Sequence, residues 1–346
     1  MESRSHHAVP LRELHAALEE VLTKHFGAKR RIRQLRRRSS AYSSSYSLEN
    51  LELALDNRER LKLVFKNLSP GSLLQTARTV RPGFVYHPER EIKIYRHILD
   101  PVKLGTPIWY GAIESPELER YWLFLERVEG PLLWQRGRLH CWEQAARWLA
   151  MLHTEYAVKT RGPNEAWAKH LVRYDENILR TWVVRAEEFL RRGYADNSPS
   201  VWRQFERLAN RYDQVIARLL DLPMSLIHGE FFPSNVILRP TKRGWKICPV
   251  DWEMAAIGPG LIDLAALTAG NWTREQKHKL VAAYREGWQL QHGWPTSVSE
   301  LLEAVDYCQL HLSVKLLGWA SDWSPPKRHT QNWLGEALRL SGVLGF

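Results

Sequence analysis

Between residues 226 and 265 the chain sets polar side chains where short buried strands call for apolar ones. This stretch limits what the chain can fold into more than any other. It reads Leu-Ile-His-Gly-Glu-Phe-Phe-Pro-Ser-Asn over 226–235 and Pro-Val-Asp-Trp-Glu over 249–253. Leu226-Ile227 and Val236-Ile237-Leu238 flank His228, Glu230 and Asn235, and the run 247–250 leads directly into Asp251. Runs this short and this apolar have the pattern of buried strands. They carry a carboxylate (Glu230), a carboxamide (Asn235) and two more carboxylates (Asp251, Glu253) towards one place. Carboxylate plus amide oxygen is the ligand set a hard cation such as Mg²⁺ takes when phosphates fill its remaining positions. A carboxylate shortly before the Asn is positioned to accept a proton from an attacking hydroxyl. That is the outline of phosphoryl transfer.

Length and composition admit a core large enough for such a site. At 346 residues, 44% hydrophobic and 25% charged, the chain reads as a globular protein of one large or two medium domains. Its cysteines, Cys141, Cys248 and Cys308, are far apart and lack metal-ligand spacing, so a reducing compartment is expected. No signal-peptide pattern and no apolar run of membrane length appears, which points to a cytoplasmic protein. The net charge is +11, but residues 24–38 carry eight Lys or Arg and no acid, leaving about +3 for everything else. One basic segment on a near-neutral body reads as a solvated strand or turn more simply than as a nucleic-acid surface. Nucleic acid therefore ranks last among partners. The 16 tryptophans show no regular spacing and are expected mostly in the core.

In the N-terminal half, Leu11, Leu14, Leu18, Val21 and Leu22 form one stripe and predict an amphipathic helix over 9–26, stopped at Gly27. From Ile32 the period shortens. Tyr46-x-Leu48 and Leu51-x-Leu53-x-Leu55 predict a strand with a shift of face near Asn50. A polar turn follows over 56–60, and Leu61-x-Leu63-x-Phe65 predicts the returning strand. Alternation puts Lys62, Val64 and Lys66 on the opposite face. Residues 88–99 predict a helix on which Glu91, Tyr95 and Ile98 share a stripe that excludes Glu89. A carboxylate on an apolar stripe needs a cation, and Lys66 is the natural one. Further strands are expected at 108–113 and 121–125. Beyond Gly130-Pro131 the pattern predicts helices over 141–156, 166–192, 200–220, 274–291, 297–317 and 332–344.

The motif His228-Gly229-Glu230-x4-Asn235, followed 16 residues later by Asp251-x-Glu253, resembles the catalytic loop and metal motif of the aminoglycoside phosphotransferase and choline kinase-like family. The resemblance spans nearly the whole chain after Lys29, with its specific part in residues 226–265. The family pattern is His-Gly-Asp-x4-Asn, and this chain has Glu230 where the Asp stands. The resemblance implies an α+β, protein-kinase-like two-lobed fold, with a small β-rich N-lobe and a larger, mainly helical C-lobe. The divisions it implies are an N-terminal helix over 1–28, a nucleotide-binding N-lobe over 29–130, and a C-lobe over 131–346 with catalytic loop, metal site and acceptor site. ATP and Mg²⁺ are the implied cofactors. The implied partner is a small-molecule hydroxyl acceptor: a sugar, nucleoside, aminoglycoside-like compound or natural product. Polycations suit acidic pockets and the chain shows no acidic cluster, so an aminoglycoside is not the favoured acceptor.

The same resemblance assigns roles. Val64-x-Lys66 becomes the strand that sets a small apolar residue against adenine and its lysine on the phosphates, Lys66 in preference to Lys62. Glu91 becomes its ion-pair partner, the alternative being a first-turn glutamate favoured by the helix dipole. The Ser-rich loop 39–45 is either a flexible linker or, through Ser43 and Ser44, a cover over the ATP phosphates. The Glu126 carbonyl and the Val128 amide hydrogen-bond the adenine. Glu230 takes the role of base, or at least of orienter of the acceptor hydroxyl, with its carboxylate displaced by about 1 Å relative to an Asp. Asn235 and Asp251 hold Mg²⁺, and Glu253 either joins them or faces the surface. His228, which as a free histidine could act as a general base, holds the loop in the family, and Asp263 braces the loop backbone. His153 and His170, isolated and without metal-ligand spacing, read as structural from the sequence itself. Residues 318–326, with Trp319, Asp322 and Trp323, either contact the acceptor or pack as a Pro-stopped loop. A nucleotide-binding pseudokinase with little transfer activity is the alternative that Glu230 raises.

Overall fold

A computed structural model of the chain describes residues 9–40, 45–80, 82–157, 166–288, 297–319 and 332–346. It divides into two units, Met1–Glu129 and Gly130–Phe346.

The first unit is built on an antiparallel sheet. Its strands are β1 (Ile32–Ser39), β2 (Leu48–Leu55), β3 (Arg60–Asn67), β4 (Trp109–Ser115) and β5 (Arg120–Glu126), in the order β1-β2-β3-β5-β4. Alternation sets the faces. Leu51, Leu53 and Leu55 of β2 are buried with Leu61, Leu63 and Phe65 of β3, Leu51 opposite Leu63 and Leu53 opposite Leu61. Helix α1 (Leu11–Phe26) adds Leu14, Ala17, Leu18, Val21 and Leu22 to the same apolar cluster, which also takes in Tyr110, Trp122 and Phe124. Each fully buried leucine contributes about 2 kcal/mol, so this stripe outweighs any weakness in the helix's own propensity. Leu11, the first member of the expected stripe, is exposed instead, because it lies in the first turn where the core stops short.

The strand irregularity falls in β1, between Ile32 and Gln34, and β2 pairs without interruption through Asn50 on both sides. The face change expected near Asn50 has a different origin. Tyr46 lies ahead of β2 in a separate bridge to Leu73, so the two apolar registers belong to two segments. Helices α2 (Gln75–Val80) and α3 (Arg90–Ile94) follow, and α3 continues through a wider turn at Tyr95–Leu99 into α4 (Asp100–Val102).

The second unit is mainly helical: α5 (Leu139–Glu155), α6 (Glu176–Tyr194), α7 (Pro199–Asn210), α8 (Tyr212–Leu220), α9 (Leu261–Leu267), α10 (Arg274–Gly287), α11 (Val298–Trp319) and α12 (Trp333–Val343). Short strands β6 (Val172–Arg173), β7 (Met224–Ile227) and β10 (Ala256–Pro259) make a sheet in the order β6-β10-β7, and β8 (Val236–Thr241) pairs with β9 (Gly244–Pro249). The long helix expected over 166–192 starts only at Glu176. Asp175 caps it, its side chain accepting the Ile178 amide at 2.9 Å, and the residues before it form a short turn and β6. The helix expected over 200–220 is two helices meeting at Arg211. All three cysteines are free and buried. Among the described residues no helix is long and apolar enough to cross a membrane.

Candidate active site

In the first unit, β3 turns Lys66 away from the Leu63 and Phe65 face into a position only 4% exposed. An ammonium there loses most of its water, and only a charged partner offsets that cost. Glu91, on the buried side of α3, supplies it: the carboxylate lies 2.7 Å from Nζ, and both side chains are buried. The Tyr46 ring adds its face at 5.8 Å. Lys62, four residues earlier on the same face, is exposed and pairs with Glu129. Glu126 ends β5, and its side chain accepts the Ile108 amide at 3.0 Å. The next amide, that of Arg127, donates to the Lys62 carbonyl at 2.9 Å. Val128 is half-buried, and its amide makes no hydrogen bond among the described residues. Ser43 and Ser44 lie outside the described residues.

In the second unit the loop after β7 is held by its backbone. Asp263, fully buried in the first turn of α9, accepts the His228 amide at 2.6 Å and the Gly229 amide at 2.9 Å. One carboxylate thus satisfies two consecutive donors that the loop would otherwise leave unpaired. His153, also fully buried, lies 3.3 Å from the same carboxylate and 2.9 Å from the Tyr284 hydroxyl. His228 Nε2 is 3.0 Å from the Val250 carbonyl; a carbonyl only accepts, so Nε2 carries the proton. That bond ties the loop to the residue before Asp251. Gly229 has φ 80, and a Cβ there would come within 2.2 Å of the Met254 carbonyl oxygen, so the close approach of the two segments requires glycine. Phe231 stacks on Trp148 at 5.7 Å, and His228 packs on Trp252 at 4.6 Å, which anchors the loop from its apolar side.

The residues with metal-type oxygens leave the same end of the β8–β9 ladder. Val236 faces Pro249, and the Val250 amide donates to the Asn235 carbonyl at 2.9 Å, so Asn235 and Asp251 leave the ladder together. Asn235 Nδ2 donates to the Glu230 carbonyl at 3.0 Å, and its Oδ1 makes no hydrogen bond among the described residues. Asp251 sits in the left-handed region, φ 68 and ψ 66, which Asp tolerates better than most residues but at some cost. Glu253 is buried rather than surface-facing, and oxygens of its carboxylate and that of Asp251 lie within 4.8 Å of each other. Two carboxylates this close, next to a ladder end that also carries Asn235, fit a hard divalent cation by their oxygen chemistry.

One residue at this loop escaped the sequence reading. Lys315, in α11, is buried at 2% exposure, and its Nζ donates to the Gly229 carbonyl at 3.3 Å and to the Tyr174 hydroxyl at 3.4 Å. The available signal was a lysine inside a helix whose neighbours Leu310, Leu312, Val314 and Leu317 are apolar on every side. Trp319 stacks on Trp182, centroids 5.4 Å apart, so it packs inside its own unit. Residues 320–326, including Asp322 and Trp323, lie outside the described residues.

The sequence model of the phosphotransferase enzyme family matches residues 76–297, and the chain belongs to that family. It is a small-molecule kinase of protein-kinase-like α+β fold, with a small antiparallel-sheet N-lobe and a mainly helical C-lobe. Among solved structures it is similar to an ethanolamine kinase of Plasmodium vivax, with TM-score 0.56 and 13% identity over 90% of this chain and 82% of that one. It is also similar to an aminoglycoside 2′-phosphotransferase of type IIIa in its GDP complex, with TM-score 0.57 and 14% identity over 94% and 95% of the two chains. A choline kinase from Cryptosporidium parvum gives TM-score 0.55 and 13% identity over 90% and 88%. At these identities the likeness speaks to the fold. No curated protein matches the chain.

Proposed function

We propose that the protein is an ATP- and Mg²⁺-dependent phosphotransferase that moves the γ-phosphate to a hydroxyl of a small molecule. The observation that carries the reading is the approach of the Asp251 and Glu253 carboxylates to within 4.8 Å of each other, beside the end of the β8–β9 ladder from which Asn235 leaves, with the Glu230 main-chain carbonyl accepting the Asn235 side-chain amide at 3.0 Å. Residues 29–130 serve as the nucleotide lobe and 131–346 as the catalytic and acceptor lobe, with 1–28 as an N-terminal helix. Lys66, aligned by Glu91, meets the phosphates, and Ser43 and Ser44 lie over them. The Glu126 carbonyl and the Val128 amide read the adenine edge. Mg²⁺, held by Asn235, Asp251 and Glu253, neutralises charge on the transferring phosphates when bound.

Glu230 accepts the proton of the acceptor hydroxyl as its oxygen bonds to the γ-phosphorus. The bridging P–O bond breaks and ADP leaves. A sugar, nucleoside or natural-product hydroxyl is the favoured acceptor, since a polycation is best served by an acidic pocket and the sequence offers no acidic cluster for one. The test is ADP release from MgATP against a panel of sugars, nucleosides, choline, ethanolamine and kanamycin, with product identified by mass spectrometry. At least one acceptor should turn over, and that turnover should be lost with chelator and in Glu230→Gln. Nucleotide binding with no turnover on any acceptor would leave a pseudokinase, and failure to bind MgATP would sink both readings.

A further inference from the structure

Lys315 is a buried cation without an ion pair. Its ammonium meets a carbonyl at 3.3 Å, a phenol at 3.4 Å and the Trp182 ring face at 5.9 Å, and no carboxylate lies within ion-pair distance among the described residues. A methionine of similar length would fill the same space without the cost of burying charge. Packing therefore does not account for a lysine at this point in α11.

We propose that Lys315 is a positioning residue of the catalytic loop: it clamps the Gly229–Glu230 peptide and gives Glu230 a fixed positive neighbour where the family pattern has aspartate. The proposal rests on the phosphotransferase reading of that loop and deepens it. Asp263 holds the His228 and Gly229 amides, and Lys315 holds the Gly229 carbonyl, so the peptide preceding the Glu230 Cα is gripped through both its neighbours. A side chain one methylene longer than Asp needs such a fixed base, because an error of about 1 Å at the reacting atoms costs on the order of 100-fold in rate.

The charge itself persists. Burial works against it, but the Tyr174 oxygen and the carboxylates of Glu230 and Asp263 outweigh burial and hold the ammonium above its ordinary range. His311, one turn earlier on α11 and fully buried, does not share the role. Burial, helped by the Lys315 charge, pushes it down to about 3, so it stays a neutral ring beside the Tyr212 hydroxyl at 3.0 Å.

The test is Lys315→Met in the full chain, read in two ways. Without ligands, amide hydrogen exchange over 226–235 should rise at least about tenfold while exchange in α12 stays unchanged. With MgATP and the acceptor that the panel identifies, kcat should fall about 10- to 100-fold with KM for ATP moving less than about twofold. That loss should shrink several-fold in a Glu230→Asp background, which keeps measurable turnover, as coupling between the two residues requires. Unchanged loop exchange, or equal kcat losses in both backgrounds, overturns the proposal. A wild-type protein with no turnover instead defeats the phosphotransferase reading, and loop exchange alone then decides whether Lys315 is the clamp. If Lys315→Met does not fold, Lys315→Gln carries the same readouts, because it keeps a donor and removes the charge.

Discussion

The two units fix their charged groups by opposite means. In the first, a side chain pins a side chain: Lys66 and Glu91 meet at 2.7 Å, both buried, one from a strand and one from a helix. In the second, the backbone is pinned instead. Asp263 takes two loop amides, His228 reaches the Val250 carbonyl, Lys315 reaches the Gly229 carbonyl, and Glu230 and Asn235 ride on the result. The difference follows from what each group is free to do. A buried ion pair satisfies itself and is costly only when broken. A carboxylate or amide meant for a cation or a substrate must keep its oxygens available, so its position has to be set by the main chain behind it.

Substitutions can break that contrast, beginning with the largest expected effect. Asp251→Asn removes a charged oxygen but keeps a residue that tolerates the left-handed backbone. It should lower kcat by about 10³-fold with little change in melting temperature. A comparable loss of stability would show that Asp251 is part of the scaffold. Lys66→Met removes the cation 2.7 Å from the buried Glu91 carboxylate, and urea unfolding should show a loss of about 3–5 kcal/mol. The double variant Lys66→Met/Glu91→Leu should regain most of that stability and none of the turnover. If it regains neither, the pair is not an isolated unit.

Glu230→Asp sharpens the contrast on the loop side. With the backbone held for a glutamate, the shorter side chain should cost about 10-fold or more in kcat at unchanged stability, measured by steady-state ADP release. A gain in rate would mean that the loop is built for the family's Asp after all. The smallest effect concerns His311. Its native form stays neutral down to about 3 while the unfolded chain binds a proton near 6.5, so native stability is lost as pH falls below about 6.5. Between about pH 7.5 and 5.5 this amounts to roughly 1.4 kcal/mol, and His311→Gln should flatten that slope in urea titrations at the two pH values.

Much of the fold was legible because it depends on local period. The β2–β3 alternation, the α1 stripe and the inward position of Glu91 all follow from spacings of two or of three to four residues. The misreadings share a cause as well. Residues 166–175 have a composition a helix accepts, but their backbone pairs β6 with β10, a partner more than 80 residues away. Leu11 lies on the right stripe of its helix, and nothing in its neighbours along the chain reveals that the core ends a turn later. The break at Arg211 carries no Pro or Gly to mark it.

The site divides in the same way. His228, Glu230, Asn235, Asp251 and Glu253 could be picked out because the motif is short and its strands are adjacent, so order along the chain nearly sets order in space. Their supports come from far off: Asp263, 35 residues from His228, was expected only through the family resemblance, and Lys315, 86 from Gly229, was not expected at all. The sequence by itself determined which oxygens this protein offers and the strands that bring them together. Only the tertiary structure decided what holds those oxygens still, because a buried donor or carboxylate acquires its meaning from the partner it meets, and these partners are set by packing between helices and loop, not by any period in the chain.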